Sequence, residues 1–172
     1  MPDTSITGAA GEHLVMSRLL WEGRIAALAP AGAKGIDILI SDAAGENLAA
    51  VQVKTAGSEV GANGWQMNKK HEALRSPRLF YVFVCPGSKE RREATCWVVP
   101  SAIVADHVAA THEAWLTDNT AKRARNDSGK RAFHRWATRP PMERYGEGWL
   151  DEYEEAWHLL DGFTKVEGTP MG

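Results

Sequence analysis

Cysteine is scarce: Cys85 and Cys96 are the only two in 172 residues, with no metal-type spacing. Both read as reduced core thiols, which argues against a secreted, disulfide-built fold. No apolar run approaches the roughly 18–20 residues of a membrane span. The opening MPDTSITGAAGE lacks a basic start followed by an apolar stretch, so no signal peptide is expected and a cytoplasmic location is. Net charge is only −2. That excludes a globally basic nucleic-acid binder and leaves room only for a local basic surface. The six histidines do not cluster, and His107 and His112 are poorly spaced for one helical face, so no zinc site is expected. There is no Walker-type glycine loop and no serine in a nucleophile-elbow context. Internal repeats and low-complexity tracts are absent.

What is present suits an ordinary globular core. Hydrophobic residues make up 44% and charged residues 24%, within the usual range for such chains. One domain is expected over 1–172, with a core at about 7–116, a basic segment at 118–139 and a closing helix at about 147–161. A helix is expected over 7–22, with Thr7 as N-cap and Gly23 as stop. Short strands follow at 24–29, 36–41 and 48–54, the last two forming a hairpin about Asp42–Gly45. Residues 55–64 read as loop and 68–75 as a short helix. LFYVFVC, 79–85, is the strongest strand by composition. CWVV, 96–99, is another, and Pro100-Ser101 opens a helix over 101–116. Trp149, Tyr153, Trp157 and Leu160 share a face if 147–161 is helical. The order implies an α/β fold, a mixed sheet with helices on its faces.

Three polar residues stand in apolar places. Glu12, Val15, Met16 and Leu19 share one face of the first helix, flanked by Gly8 and Gly11, which permit close approach. In GIDILI, 35–40, Asp37 interrupts a buried strand, where an unpaired carboxylate is costly. In LAAVQVK, 48–54, Gln52 and Lys54 share one side and Val51 and Val53 the other. The hairpin allows Asp37 to face the side of Gln52 and Lys54. Read singly, Glu12 is a solvated helix residue and Asp37–Lys54 a cross-strand ion pair. Glu12, Asp37 and Lys54 together are also consistent with a buried ion-pair network.

Taken together, Glu12 on a helix, Asp37 after Gly35, and Gln52-Val-Lys54 resemble the PD-(D/E)xK nuclease superfamily, the restriction-endonuclease-like fold. The match in element order covers about residues 7–100. The glutamine variant is similar to small homing endonucleases, and the GAAGE…GID…VQVK layout is similar to archaeal Holliday-junction resolvases. The resemblance implies a metal-dependent DNA endonuclease that hydrolyses phosphodiester bonds with Mg²⁺, with Mn²⁺ able to substitute. It implies Glu12, Asp37, Gln52 and Lys54 as catalytic residues. Glu12, Asp37, the Gln52 side-chain carbonyl and the Val53 backbone carbonyl are the implied metal ligands, all oxygens as Mg²⁺ prefers. Lys54 would neutralise the phosphate or handle the attacking water. It also implies a homodimer, for which the tryptophan-rich 147–161 stretch is one candidate interface. Gln52 carries no charge where the family has a carboxylate. A catalytically weak or inactive module binding nucleic acid or protein on the same fold is therefore the alternative.

KRARNDSGKRAFHRWATR, 122–139, holds seven Lys and Arg against Asp127, with Phe133 and Trp136 interleaved. Basic side chains there, Lys130, Arg131 and Arg135 among them, would hold DNA phosphates, and the aromatics would stack on a base. A plain solvated basic face is the other reading. A second strip, Trp65, Lys69, Lys70 and His71, follows the Gln52–Lys54 strand, with Thr55 and Lys69 reaching a phosphate.

Overall fold

The computed structural model describes residues 4–56, 64–87, 93–120, 125–136 and 143–163. Lys122, Arg123, Arg139, most of the 55–64 loop and the centre of the 86–94 turn lie outside them. The described elements are α1 (Thr4–Trp21), β1 (Ile25–Leu28), β2 (Ile38–Ser41), β3 (Ala49–Thr55), β4 (Trp65–Asn68), β5 (Leu79–Cys85), β6 (Thr95–Pro100), α2 (Ser101–Thr117) and β7 (Lys130–Phe133), joined by 3-10 turns. The architecture is mixed α/β, as expected. Five strands form one sheet in the order β1-β2-β3-β5-β6, while β4 and β7 form a separate two-stranded ribbon. Only β3 and β5 pair in parallel; the other neighbours run antiparallel.

Period-two alternation divides the sheet's two faces. Val51, Val53, Phe80, Val82 and Val84 pack under Val15 and Leu19 of α1. Tyr81, Phe83, Trp97 and Val99 pack on the other face against Val104 and Val108 of α2 and Trp65, Met67 and Phe133 of the ribbon. Phe83 and Phe133 stack with ring centroids 4.0 Å apart, which fastens the ribbon to the sheet. Each such fully buried side chain contributes about 1.5–3 kcal/mol.

Three local expectations are corrected. Helix α1 starts at Thr4, so Thr7 lies inside it and is no cap. Gly23 does end it, with φ +77° and its N–H on the Leu20 carbonyl. The short helix expected at 68–75 is only a single 3-10 turn, Lys69–Glu72, and it follows an unexpected strand, β4, in which Trp65 and Met67 alternate inward. The closing helix over 147–161 does not form: the segment holds only the 3-10 turn Asp151–Tyr153 and the start of another, Trp157–Phe163. Gly148 and Glu155 take positive φ, +85° and +48°, which no continuous helix accommodates. Glu155 instead caps the open edge of β6. Its N–H donates to the Cys96 carbonyl, and its Oε1 accepts from the Cys96 N–H at 2.9 Å. A helical dimer interface there is removed with the helix.

His107 of α2 has no exposed surface, and neither ring nitrogen finds a partner among the described residues. Its ring lies between 4.5 and 4.9 Å from those of Tyr145, Phe133 and Trp149. Burial, and then the positive neighbours His134 and Arg144, push its pKa down to about 3. The folded chain thus keeps it neutral, while the unfolded chain protonates it near pH 6.5. Stability falls as pH drops below that value. The loss between pH 7 and pH 5 is about 2 kcal/mol from this one group. Denaturant unfolding of His107→Leu should show a pH dependence shallower by that amount; an unchanged slope would remove His107 as its source.

Candidate functional site

Asp37 sits one residue before β2, where the β2–β3 ladder opens. Its N–H donates to the Val51 carbonyl at 2.9 Å and its carbonyl accepts from Ala29 at 2.8 Å. Its Oδ2 accepts the Val53 N–H at 2.7 Å. The carboxylate thus stands where a strand carbonyl would have been, which answers the cost of placing it there. The N–H and C=O of one strand residue point the same way. The Val53 carbonyl therefore also faces this opened edge. Gly35 supplies the turn into Asp37 with φ +77°, a conformation that favours glycine.

Gln52 and Lys54 share the sheet face that carries Tyr81 and Phe83, their register partners on β5. Asp37 falls on the same side, because the next residue, Ile38, pairs with Val51 and points with it into the core under α1. Gln52 is only 4% exposed, and its Oε1 has no hydrogen-bond partner among the described residues. An acceptor so placed costs roughly 1–3 kcal/mol unless something binds it. Lys54 is half-buried. Burial lowers its pKa, Lys70 adds to that, and Asp37 and Glu12 oppose it.

Glu12 reaches the site because α1 lies very close on β3. A Cβ at Gly11 would stand 1.8 Å from Thr55 Oγ1, so only glycine permits this approach. Gly8, by contrast, has open space around it. The Glu12 carboxyl is raised above its usual range, first by burial and then by Asp37, with His13 and Lys54 pulling it down. Two carboxylates and one ammonium therefore sense one another here, with a buried amide oxygen alongside. Among the described residues no group of three His, Cys, Asp or Glu is gathered for a metal. The oxygen set is two carboxylates, an amide and a backbone carbonyl. Repelling carboxylates beside an orphaned acceptor fit a hard divalent cation.

Sequence reasoning missed a buried pair beside this set. His71 Nδ1 and the Tyr81 hydroxyl are hydrogen-bonded at 2.7 Å. Burial, then Lys54 and Lys70, bring His71 down to about 4, while burial and then Asp37 push Tyr81 up. His71 is 2% and Trp65 5% exposed, so neither belongs to an open contact strip. The available signal was that His71 follows Trp65 and Met67 in an inward-pointing series.

The outlying candidates separate. Thr55 is half-buried with its Oγ1 against α1. Lys69 is exposed and pairs with Asp127 at 2.9 Å. Lys130 is exposed at the start of β7. Arg131 is a correction: its side chain is 2% exposed, and its guanidinium is bonded to Glu72 and lies 3.0 Å from Asp127. Its donors are used inside the protein, and it fastens β7 to the Lys69–Glu72 turn. Arg135 lies over the rings of Trp97 and Trp136, at 5.0 and 5.6 Å. Phe133 is fully buried and so cannot stack on a base. No described helix is long and apolar enough to cross a membrane.

No family profile matches this chain, and no curated protein does. Among solved structures it is similar to that of a bacterial homing endonuclease, I-Ssp6803I. The identity is 17%, the TM-score is 0.54, and the likeness covers 95% of this chain and 96% of that one. At that identity the likeness is one of fold, a nuclease-like fold.

Proposed function

We propose that the chain is a metal-dependent DNA endonuclease. The observation that carries this reading is the buried Gln52 Oε1, unpartnered among the described residues, on the side of Asp37. Glu12 and Lys54 are electrostatically coupled to Asp37 at the same place. Glu12, Asp37, Gln52 and the Val53 carbonyl would hold Mg²⁺, or Mn²⁺ in its place. Such an ion supplies charge stabilisation at a phosphate and an acidified water. Asp37, anchored through its backbone and one carboxylate oxygen, is the rigid member. Lys54 Nζ holds a phosphate oxygen or the attacking water, and its lowered proton affinity suits it to accept a proton. In the hydrolysis, the water oxygen bonds to phosphorus, one P–O ester bond breaks, and the leaving oxygen is protonated. Two copies acting together would cut both strands, so a homodimer belongs to this proposal.

The neutral side chain of Gln52 favours a second reading, a binding module with a weakened site. Supercoiled plasmid separates them. Mg²⁺ or Mn²⁺ should give nicked and linear products that EDTA prevents. An absence of cutting on plasmid, four-way junction and single-stranded DNA alike would overturn the nuclease reading in favour of the module.

A further inference from the structure

The β4–β7 ribbon packs on one face of the main sheet but pairs with none of its strands. Its antiparallel register pairs Gln66 with Ala132 and Asn68 with Lys130. Alternation sends Trp65, Met67, Arg131 and Phe133 inward, where all four are buried. Gln66, Asn68 and Lys130 are exposed on the outer side, with Ala132 half-exposed beside them. No acidic side chain stands in that quartet. The nearby acids are engaged: Glu72 by Arg131, and Asp127 by Lys69, His112 and Arg131. Exposed Lys69 and Lys70 continue directly from β4, and Lys70 is close enough to Lys54 to lower its proton affinity. The ribbon thus runs out from the edge of the candidate site with a net positive, hydrogen-bonding outer surface.

We infer that the outer face of the β4–β7 ribbon reads base edges in the major groove of duplex DNA, with Gln66, Asn68 and Lys130 as specificity-determining residues. The inference rests on DNA being the substrate of the neighbouring site. Each strand is about 13 Å long and the pair about 5 Å between axes. A major groove roughly 12 Å wide admits such a ribbon. The chemistry matches what that groove displays. Carboxamides of Gln66 and Asn68 pair with adenine N6 and N7, Lys130 donates to guanine O6 and N7, and the Ala132 methyl meets a thymine methyl. Residues two apart on a strand are about 7 Å apart, the rise of about two base pairs. The quartet therefore spans two or three base pairs. Lys69 and Lys70 would hold the flanking phosphates.

The test uses a library of double-stranded 20-mers with a randomised centre, bound to the intact chain in Ca²⁺ and sequenced. Gln66→Ala/Asn68→Ala is run beside it, with thermal unfolding to show that the fold is kept. The intact chain should enrich a motif, and the double variant should lose about tenfold or more of the preference at two neighbouring positions. A motif unchanged in the variant overturns the inference, as does the absence of any motif. Preference for duplex RNA overturns it too, since that major groove is too narrow to enter. Plasmid cutting by the same preparations reports separately on the nuclease reading. A motif that depends on the ribbon in a chain that never cuts would leave this inference standing without the nuclease. An unchanged motif in a chain that cuts would do the reverse.

Discussion

Asp37→Asn should lower metal-dependent DNA cleavage by about a thousandfold or more while leaving the chain folded. The fold survives because the amide oxygen of asparagine accepts the Val53 N–H as Asp37 Oδ2 does now, at 2.7 Å. The backbone bonds to Val51 and Ala29 are untouched. What disappears is the negative charge on the most rigidly anchored oxygen of the set. Lys54→Met should lose a comparable amount of activity for a different reason. It keeps the aliphatic stem and removes a charge that burial already disfavours. Its thermal stability should therefore hold or rise. A structural ion pair behaves oppositely: removing one member strands the other and destabilises the fold. Unchanged cleavage in either variant, measured on supercoiled plasmid in Mg²⁺, would take that residue out of the mechanism.

Gln52 offers the second large effect, with activity and stability moving in opposite directions. Gln52→Leu fills nearly the same volume and removes an acceptor that is buried without a partner. It should gain about 1 kcal/mol of stability and lose on the order of a hundredfold in cleavage. Strain or an unmet polar group kept at a functional place produces this trade. Gln52→Glu adds a third carboxylate where Glu12 already carries a raised pKa, first through burial and then through Asp37. Without metal it should melt at a lower temperature than the intact chain, and Mn²⁺ should restore more stability to it than to the intact chain. Thermal unfolding with and without Mn²⁺ reads both. A Leu variant that is less stable and fully active would make Gln52 an ordinary core residue.

Much of this site was legible from local chemistry. A carboxylate inside GIDILI needs a partner, and period two sets Gln52 and Lys54 against Val51 and Val53. Gly11 before Glu12 marked a close helix contact, which Thr55 supplies. The strands LFYVFVC and CWVV, and the Pro100-Ser101 helix start, follow from composition and caps alone. The remainder depends on partners distant in sequence. Arg131 reads as a free phosphate ligand until Glu72, 59 residues away, takes its guanidinium. Glu155 reads as a helical residue until Cys96 takes both its N–H and its carboxylate. His71 reads as part of a surface strip until Tyr81 is brought against it. Trp65-Gln-Met-Asn did carry the alternation of a strand, but four residues are too few to outweigh a lysine-rich continuation that suits a helix.

A metal site at Asp37 is tested most simply by calorimetric titration of Mn²⁺ into the intact chain and into Asp37→Asn. The intact protein should bind one Mn²⁺ per chain, and the variant should bind it more weakly by on the order of a hundredfold. Equal binding by both, or none by the intact chain, would contradict a metal site at Asp37.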